Sequence, residues 1–258
     1  MVIHWFEYNG KSSLNHGVYI LNKQSYNKPQ KDLSIVSVPG RDGSLIIDNG
    51  GYNNVSLTLN LRMVAPQVSN DKVTSFNYAY SRISKWLKPT AEYLIYTDSY
   101  DPDYYRRAAV KSAINLTQKH YDIADFSVTF ECKPYRYRWD GDEVITLDSS
   151  TANSITITNP ESYSALPIIK VFTDVEYDSQ AERLHSFILN GSQYTIKQIN
   201  GNCTIDSEMM NVYKGLANKN RDYQQSSFPK LVQGANTFAL VSGGNVSKIQ
   251  ITPRWRAI

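Results

Sequence analysis

The sequence is poor in the residues that usually announce chemistry. Its two cysteines, Cys132 and Cys203, lie far apart, and neither has a second thiol or a histidine in metal-binding spacing. This excludes a zinc knuckle and a disulfide scaffold, and both are expected to be reduced core residues, since Cys packs as a small hydrophobe. The four histidines, His4, His16, His120 and His185, are isolated from one another and read as structural or surface residues. There is no glycine-rich phosphate loop of the Walker or dinucleotide type and no Gly-x-Ser-x-Gly elbow, so no cofactor or catalytic set is expected. Charge of one sign is also lacking. Twenty-seven Lys and Arg against 24 Asp and Glu leave a net charge of +3, spread along the chain, which argues against a dedicated nucleic-acid binder. No stretch approaches the roughly 18 uncharged apolar residues of a membrane helix, and Met1 to Gly10 lack the pattern of a secretory leader. The expectation is a soluble protein with no membrane insertion and no signal peptide.

What the chain has is length for two domains and an excess of strand formers, including 19 tyrosines. Val55, Leu57, Leu59, Leu61 and Met63 alternate with Ser56, Thr58, Asn60 and Arg62, the period of a half-buried antiparallel strand. Ala124, Phe126, Val128, Phe130 and Cys132 repeat the pattern, and Ala108, Val110, Ser112, Ile114 and Leu116 give a softer version. Two strand-like runs between Leu33 and Asp48 flank Pro39-Gly40-Arg41-Asp42-Gly43, which predicts a hairpin with a tight tip. One helix is predicted over 73–87, with Phe76, Tyr80, Ile83 and Leu87 sharing a core-facing side and Pro89 closing it.

The basic-aromatic segment from Lys133 to Trp139 marks a change to shorter strands and denser turns, and the domain boundary is placed there, giving domains 1–135 and 136–258. The second half predicts a hairpin from Ser186 to Lys197 turning at Asn190-Gly191, then short strands at Cys203 to Asp206, Asn211 to Lys214, Thr237 to Val241 and Lys248 to Thr252. Such spacing indicates a β-sandwich, and the protein as a whole is expected to be mainly β.

Two features could carry chemistry. Asp98, Asp101 and Asp103 cluster as glycosidase carboxylates would, but they surround an Asp-Pro turn and are better read as a solvated loop. The segment Lys133 to Trp139 could stack single-stranded nucleic acid, but reads rather as a packed connector. No converging sugar platform can be assembled from Tyr163, Tyr177, Tyr194, Tyr213 and Tyr223.

An ordered set of motifs spans nearly the whole chain. It opens with Phe6-Glu7-Tyr8-Asn9-Gly10-Lys11-Ser12-Ser13, Gly17-Val18 and Val38-Pro39-Gly40-Arg41-Asp42-Gly43-Ser44-Leu45. Phe130-Glu131-Cys132-Lys133-Pro134-Tyr135-Arg136-Tyr137 follows, then Ile205-Asp206-Ser207-Glu208, Phe228-Pro229-Lys230-Leu231, Gly234-Ala235-Asn236 and Pro253-Arg254-Trp255-Arg256. In this the chain resembles the distal tail proteins of long-tailed phages that infect Gram-positive bacteria.

The resemblance implies an N-terminal ring-forming β-sandwich with one α-helix and a protruding hairpin, followed by a galectin-like C-terminal β-sandwich. It further implies a non-enzymatic homohexamer, made in the host cytoplasm and built into the virion at the tail tip or baseplate. The ring would join the tail tube protein to the tail-associated hub or lysin protein and carry receptor-binding or baseplate proteins. DNA would only pass through its channel, and two rings could stack in solution. Contacts in such a ring run head to tail, and the hairpin residues Val38, Pro39, Gly40, Arg41, Asp42, Gly43, Leu45, Ile46 and Ile47 are the candidates for them. An ordinary hairpin within one sheet is the competing reading of that segment. Two other functions stay open: a carbohydrate-binding module for host cell-wall glycan, and a hydrolase using the Asp98 to Asp103 loop.

Overall fold

A computed structural model describes residues 3–23, 27–175 and 183–258. The chain divides into two compact units, Met1–Arg136 with Ile258, and Tyr137–Ala257. The division falls inside one strand, Ile123–Arg138, which carries the basic-aromatic segment.

The first unit is organised by the pairing of Val55–Val64 with Ile123–Arg138. Val55 faces Cys132, Leu57 faces Phe130, Leu59 faces Val128, Leu61 faces Phe126 and Met63 faces Ala124, so the apolar positions of both strands meet on one side. All are buried. The intervening pairs are polar: the Thr58 and Thr129 hydroxyls are 3.0 Å apart, and Arg62 donates two bonds to Asp125 at 2.8 and 3.0 Å. A slip of one residue would turn every apolar side chain outward. The sheet continues on one side through Tyr104–Val110, Leu94–Asp98 and Phe6–Tyr8, and on the other through Val18–Lys23. A bridge between His4 and Ile20 joins its two ends, so the expected sandwich is made by one curled sheet. Gly17, at φ +66°, is required at the closure, because a Cβ there would lie 2.4 Å from the Val64 carbonyl oxygen.

The helix, Lys72–Trp86, starts where Asp71 accepts from the Val73 and Thr74 amides at 3.1 and 3.0 Å. Its inner face is the predicted one only in part: Ile83 and Leu87 are buried as expected. Ser75, Ala79, Ile83 and Trp86 are buried, Phe76 is only partly so, and Tyr80 is exposed. Small residues at Ser75 and Ala79 let the helix approach the sheet. The Ser75 hydroxyl is tied to the Val68 and Ser69 backbone, and Trp86 Nε1 donates to the Tyr8 carbonyl at 3.0 Å. The softer alternation from Ala108 also stops early, at Val110. The Thr129 amide is taken there by the Ser112 hydroxyl instead of a backbone carbonyl, which ends the ladder.

The second unit is a sandwich of two antiparallel sheets. One runs in the order Ile145–Asp148, Lys248–Thr252, Ile168–Phe172, Asn202–Asp206, Asn211–Lys214, Ala217–Asn218; the other in the order Ser154–Asn159, Gly234–Leu240, Leu184–Leu189, Ser192–Lys197. Asn190 and Gly191 turn the predicted hairpin at φ +49° and +80°, both left-handed as a type I′ turn requires. The core includes Phe187, Leu189 and Phe238 from one sheet and Ile169, Ile205 and Ile249 from the other.

Arg254, at φ +56°, closes the sandwich from the C-terminal side. Its Nη2 donates to Asp206 at 2.6 Å and its Nε to the Leu166 carbonyl at 2.8 Å, and both charged side chains are buried. Removing one partner of such a pair strands the other in low dielectric. Arg254→Met is therefore expected to cost ~3–5 kcal/mol, and the apolar double replacement Arg254→Met with Asp206→Leu markedly less. Urea unfolding of the full chain measures both, and equal losses would refute the pairing as the cause.

Candidate assembly surface

The strands Lys31–Ser37 and Ser44–Tyr52 form a two-stranded sheet of their own, and among the described residues neither pairs with any other strand. Ile35 faces Ile46, Val36 faces Leu45 and Ser34 faces Ile47. Directly opposed residues share a face, so Leu33, Ile35 and Ile46 lie on one side and Val36, Leu45 and Ile47 on the other. All six are exposed, Ile35 at 71% and Ile46 at 63%. Ordinary surface strands are apolar on one face only; this hairpin is apolar on both.

Polar contacts are gathered at its base. Lys31 pairs with Asp48, whose carboxyl is held below its usual range by that bond and by the Gly50 amide. Asn49 donates to Asp32 at 3.1 Å and to the Ser34 hydroxyl at 2.9 Å. Tyr52 packs edge-on against Tyr135 with ring centroids 6.0 Å apart. At the tip, the Arg41 amide closes a turn on the Val38 carbonyl at 3.2 Å, and Gly40 and Gly43 take φ +78° and +81°. Val38, Pro39, Arg41 and Asp42 are exposed there with the two glycines. The structure thus brings the predicted assembly residues onto one projecting element. Leu33, Ile35 and Val36, within the expected segment from Leu33 to Asp48 but not among the named contact residues, complete its apolar faces.

Asp98 and Asp101 share the lining of one small pocket with Arg106, and each is already committed to a partner. Asp98 is buried and accepts from the Tyr96 hydroxyl at 2.7 Å and the Tyr100 amide at 2.9 Å, Asp101 pairs with Arg136 at 2.7 Å, and Asp103 is exposed. The basic-aromatic segment is packed: Arg136 lies 4.2 Å over the Tyr104 ring and Arg138 grips Asp140 through two bonds.

Each histidine has a structural partner: His4 stacks on Tyr100, His120 pairs with Asp122, and His185 donates through Nδ1 to the Asn245 carbonyl. His16 Nδ1 accepts from Arg82 at 3.3 Å, with Trp86 edge-on at 4.4 Å. Both cysteines are buried free thiols, in separate cores. Tyr194 and Tyr223 stack on Phe187 and Phe228, and Tyr177 lies outside the described residues. No group of side chains suited to a metal ion occurs among the described residues, nor a helix long and apolar enough to cross a membrane.

Residues 13–132 match the family model of the phage tail protein RIFT-related domain. That match lies within the first unit. The entire chain superposes on the entire chain of Dit (gp 19.1) of phage SPP1, with a TM-score of 0.71 and 13% sequence identity. That protein is described as a paradigm of the hub adsorption apparatus in phages infecting Gram-positive bacteria. No curated protein matches the sequence. The resemblance to phage tail proteins thus has a sequence match within the first unit and a likeness of fold over the whole chain.

His16 generates a pH dependence. Burial, then the charges of Arg82 and Lys11, lower its pKa from 6.5 to about 4. The unfolded chain takes up this proton first, so the contribution of neutral His16 is complete above pH 6.5 and lost as the pH falls toward about 4. Thermal melts across that window are expected to show a shallower decline for His16→Gln than for the parent; parallel curves would refute it.

Proposed function

We propose that the chain is a distal tail adaptor: six copies close a ring that joins the tail tube to the tail-tip hub, and the periphery of the ring carries host-adhesion proteins. The hairpin apolar on both faces is the observation that carries this reading. A two-stranded ribbon with no sheet beneath it is marginal in water, and exposed apolar patches of this kind mark interaction sites. A cyclic ring supplies what such an element needs, because each subunit presents two different patches and the reaching element of one is received by the next. The family of the first unit and the fold of the whole chain support a tail-tip role. The polar commitments of Asp98 and Asp101 favour this adaptor over the hydrolase reading.

Light scattering coupled to size exclusion, over a concentration series, tests the ring. The expected mass is six times the 29.3 kDa of the chain, or twelve times if two rings stack. A monomer at every concentration, alone and with tail tube or hub protein added, would overturn the proposal. Asp or Pro at Ile46 or Ile47 is expected to shift the assembly toward monomer while leaving the monomer's thermal unfolding within a few degrees, since these side chains are exposed within one chain. Equal loss of assembly and of monomer stability would identify the hairpin as an internal structural element instead.

A further inference from the structure

The four-stranded sheet of the second unit has two edges of different character. At one, the strand Ser192–Lys197 is covered: the Thr195 amide donates to the Gln225 side chain at 2.8 Å, the Gln224 amide donates to the Thr195 carbonyl at 3.1 Å, and Tyr223 bridges to Ile196. At the other, the strand Ser154–Asn159 pairs with Gly234–Leu240 on one side and, among the described residues, with no strand on the other. An open edge is a template for a further strand, and proteins blunt it with charge, proline, a bulge or brevity. This strand has none of these devices. No charged residue occurs from Ser149 to Pro160, and all six pairs with Gly234–Leu240 run without a shift. The other outer strands, apart from the assembly hairpin, are blunted. Val18–Lys23 is bulged between Ile20 and Asn22 and ends on a lysine, Lys11–Ser12 and Ala217–Asn218 are two residues long, and Ile145–Asp148 is four residues long and ends on an aspartate.

The backbone of the open strand is aimed at the opening. Thr156 lies opposite Thr237, whose amide donates to Asn190 Oδ1 and whose carbonyl accepts from the Asn190 amide, both at 2.9 Å. Thr156 and Thr237 are therefore a non-bonded pair of the ladder, and antiparallel alternation assigns its bonds to Ile155 and Ile157. The Leu240 amide, which donates to the Asn153 carbonyl at 2.8 Å, follows the same alternation. The amides and carbonyls of Ser154, Thr156 and Thr158 thus point away from the sheet. These three residues are exposed, while Ile155 and Ile157 pack into the core.

From this edge we infer that Ser154–Asn159 pairs antiparallel with the same strand of a second copy of the chain, about a two-fold axis at Thr156. The order of side chains is symmetric about that residue: Thr156 meets Thr156, Ile155 meets Ile157, and Ser154 meets Thr158. Opposed residues share a face, so isoleucine meets isoleucine on the core side and hydroxyl meets hydroxyl outside. The outward amides and carbonyls of the two copies satisfy each other across the axis. The hydroxyl row that already joins Thr156 to Thr237 at 3.0 Å continues into the second copy. A shift of one residue would set threonine against isoleucine. Charge favours the same occupant, because a strand that meets its own copy sets like against like, and only an uncharged one does so without repulsion. The contact is isologous, unlike the head-to-tail contacts of a ring, and the inference does not rest on ring formation.

The test is light scattering on the full-length protein in the Ile46→Asp background, where hairpin contacts do not contribute. One strand pair buries less than a standard interface, so the concentration series extends to about 1 mM. The mass is expected to double over the series. Thr156→Lys sets two ammoniums opposite one another and should weaken the pairing about tenfold or more. Thr156→Pro removes an outward donor that no bond within the chain uses, and should have the same effect. Both variants are expected to melt within a few degrees of the parent. Hydrogen exchange of the Ser154, Thr156 and Thr158 amides should slow with concentration, and that of Ile155 and Ile157 should not change. The inference is overturned by a constant mass, by growth beyond doubling, or by doubling that both variants leave intact. It is also overturned if an added Ser-Ile-Thr-Ile-Thr peptide slows these amides and the protein's own concentration does not, which would assign the edge to a foreign strand.

Discussion

The ladder between Val55–Val64 and Ile123–Arg138 is the constraint on which the first unit depends. Ten consecutive residue pairs run without a shift, and every second pair is apolar and inward. Full burial of each such side chain contributes about 1.5–3 kcal/mol. The neighbouring strands, the helix and the closing bridge at His4 all pack on the surface this ladder creates. The assembly hairpin is attached to it as well, ending at Tyr52 only three positions before the ladder begins at Val55.

The hairpin departs from the rule that governs the rest of the unit. In the ladder, alternation separates a wet face from a dry one; in the hairpin, apolar residues occupy both faces, and the ion pair and side-chain hydrogen bonds lie toward the base. Within one chain nothing covers either face among the described residues. Its exposed apolar faces, rather than a pocket, make it the candidate functional site. Its tip needs glycine for conformation rather than for space, since a Cβ on Gly40 or Gly43 would meet nothing within 4 Å.

In the second unit, motifs that looked like family signatures prove to be structural locks. Asp206 and Arg254, far apart in sequence, form the buried ion pair. Asn236, buried, donates to the Val232 and Gly234 carbonyls and accepts from the Val232 amide and Asn190. Leu231 exchanges two backbone bonds with Ala165. Short polar motifs persist in these places because a buried polar group left without a partner is costly, so each must occur with its distant counterpart. The same logic accounts for Asp98, which is committed to the Tyr96 hydroxyl and the Tyr100 amide.

The sequence by itself determined the strands whose alternation is strict, the Asn190-Gly191 turn, the hairpin around Pro39 to Gly43 and the mainly-β class, because these depend on side-chain period and local dihedral preference. The helix was legible in extent and in its second half, where Ile83 and Leu87 are buried; in its first half Phe76 and Tyr80 satisfy the helical period as well as Ser75 and Ala79 do, and only the distance to the sheet selects the smaller pair. The two-faced character of the hairpin needed the register, since one shift decides whether Ile35 meets Ile46 or its neighbour. Register depends on which strands pair and where, and that is set by contacts between segments far apart in the chain.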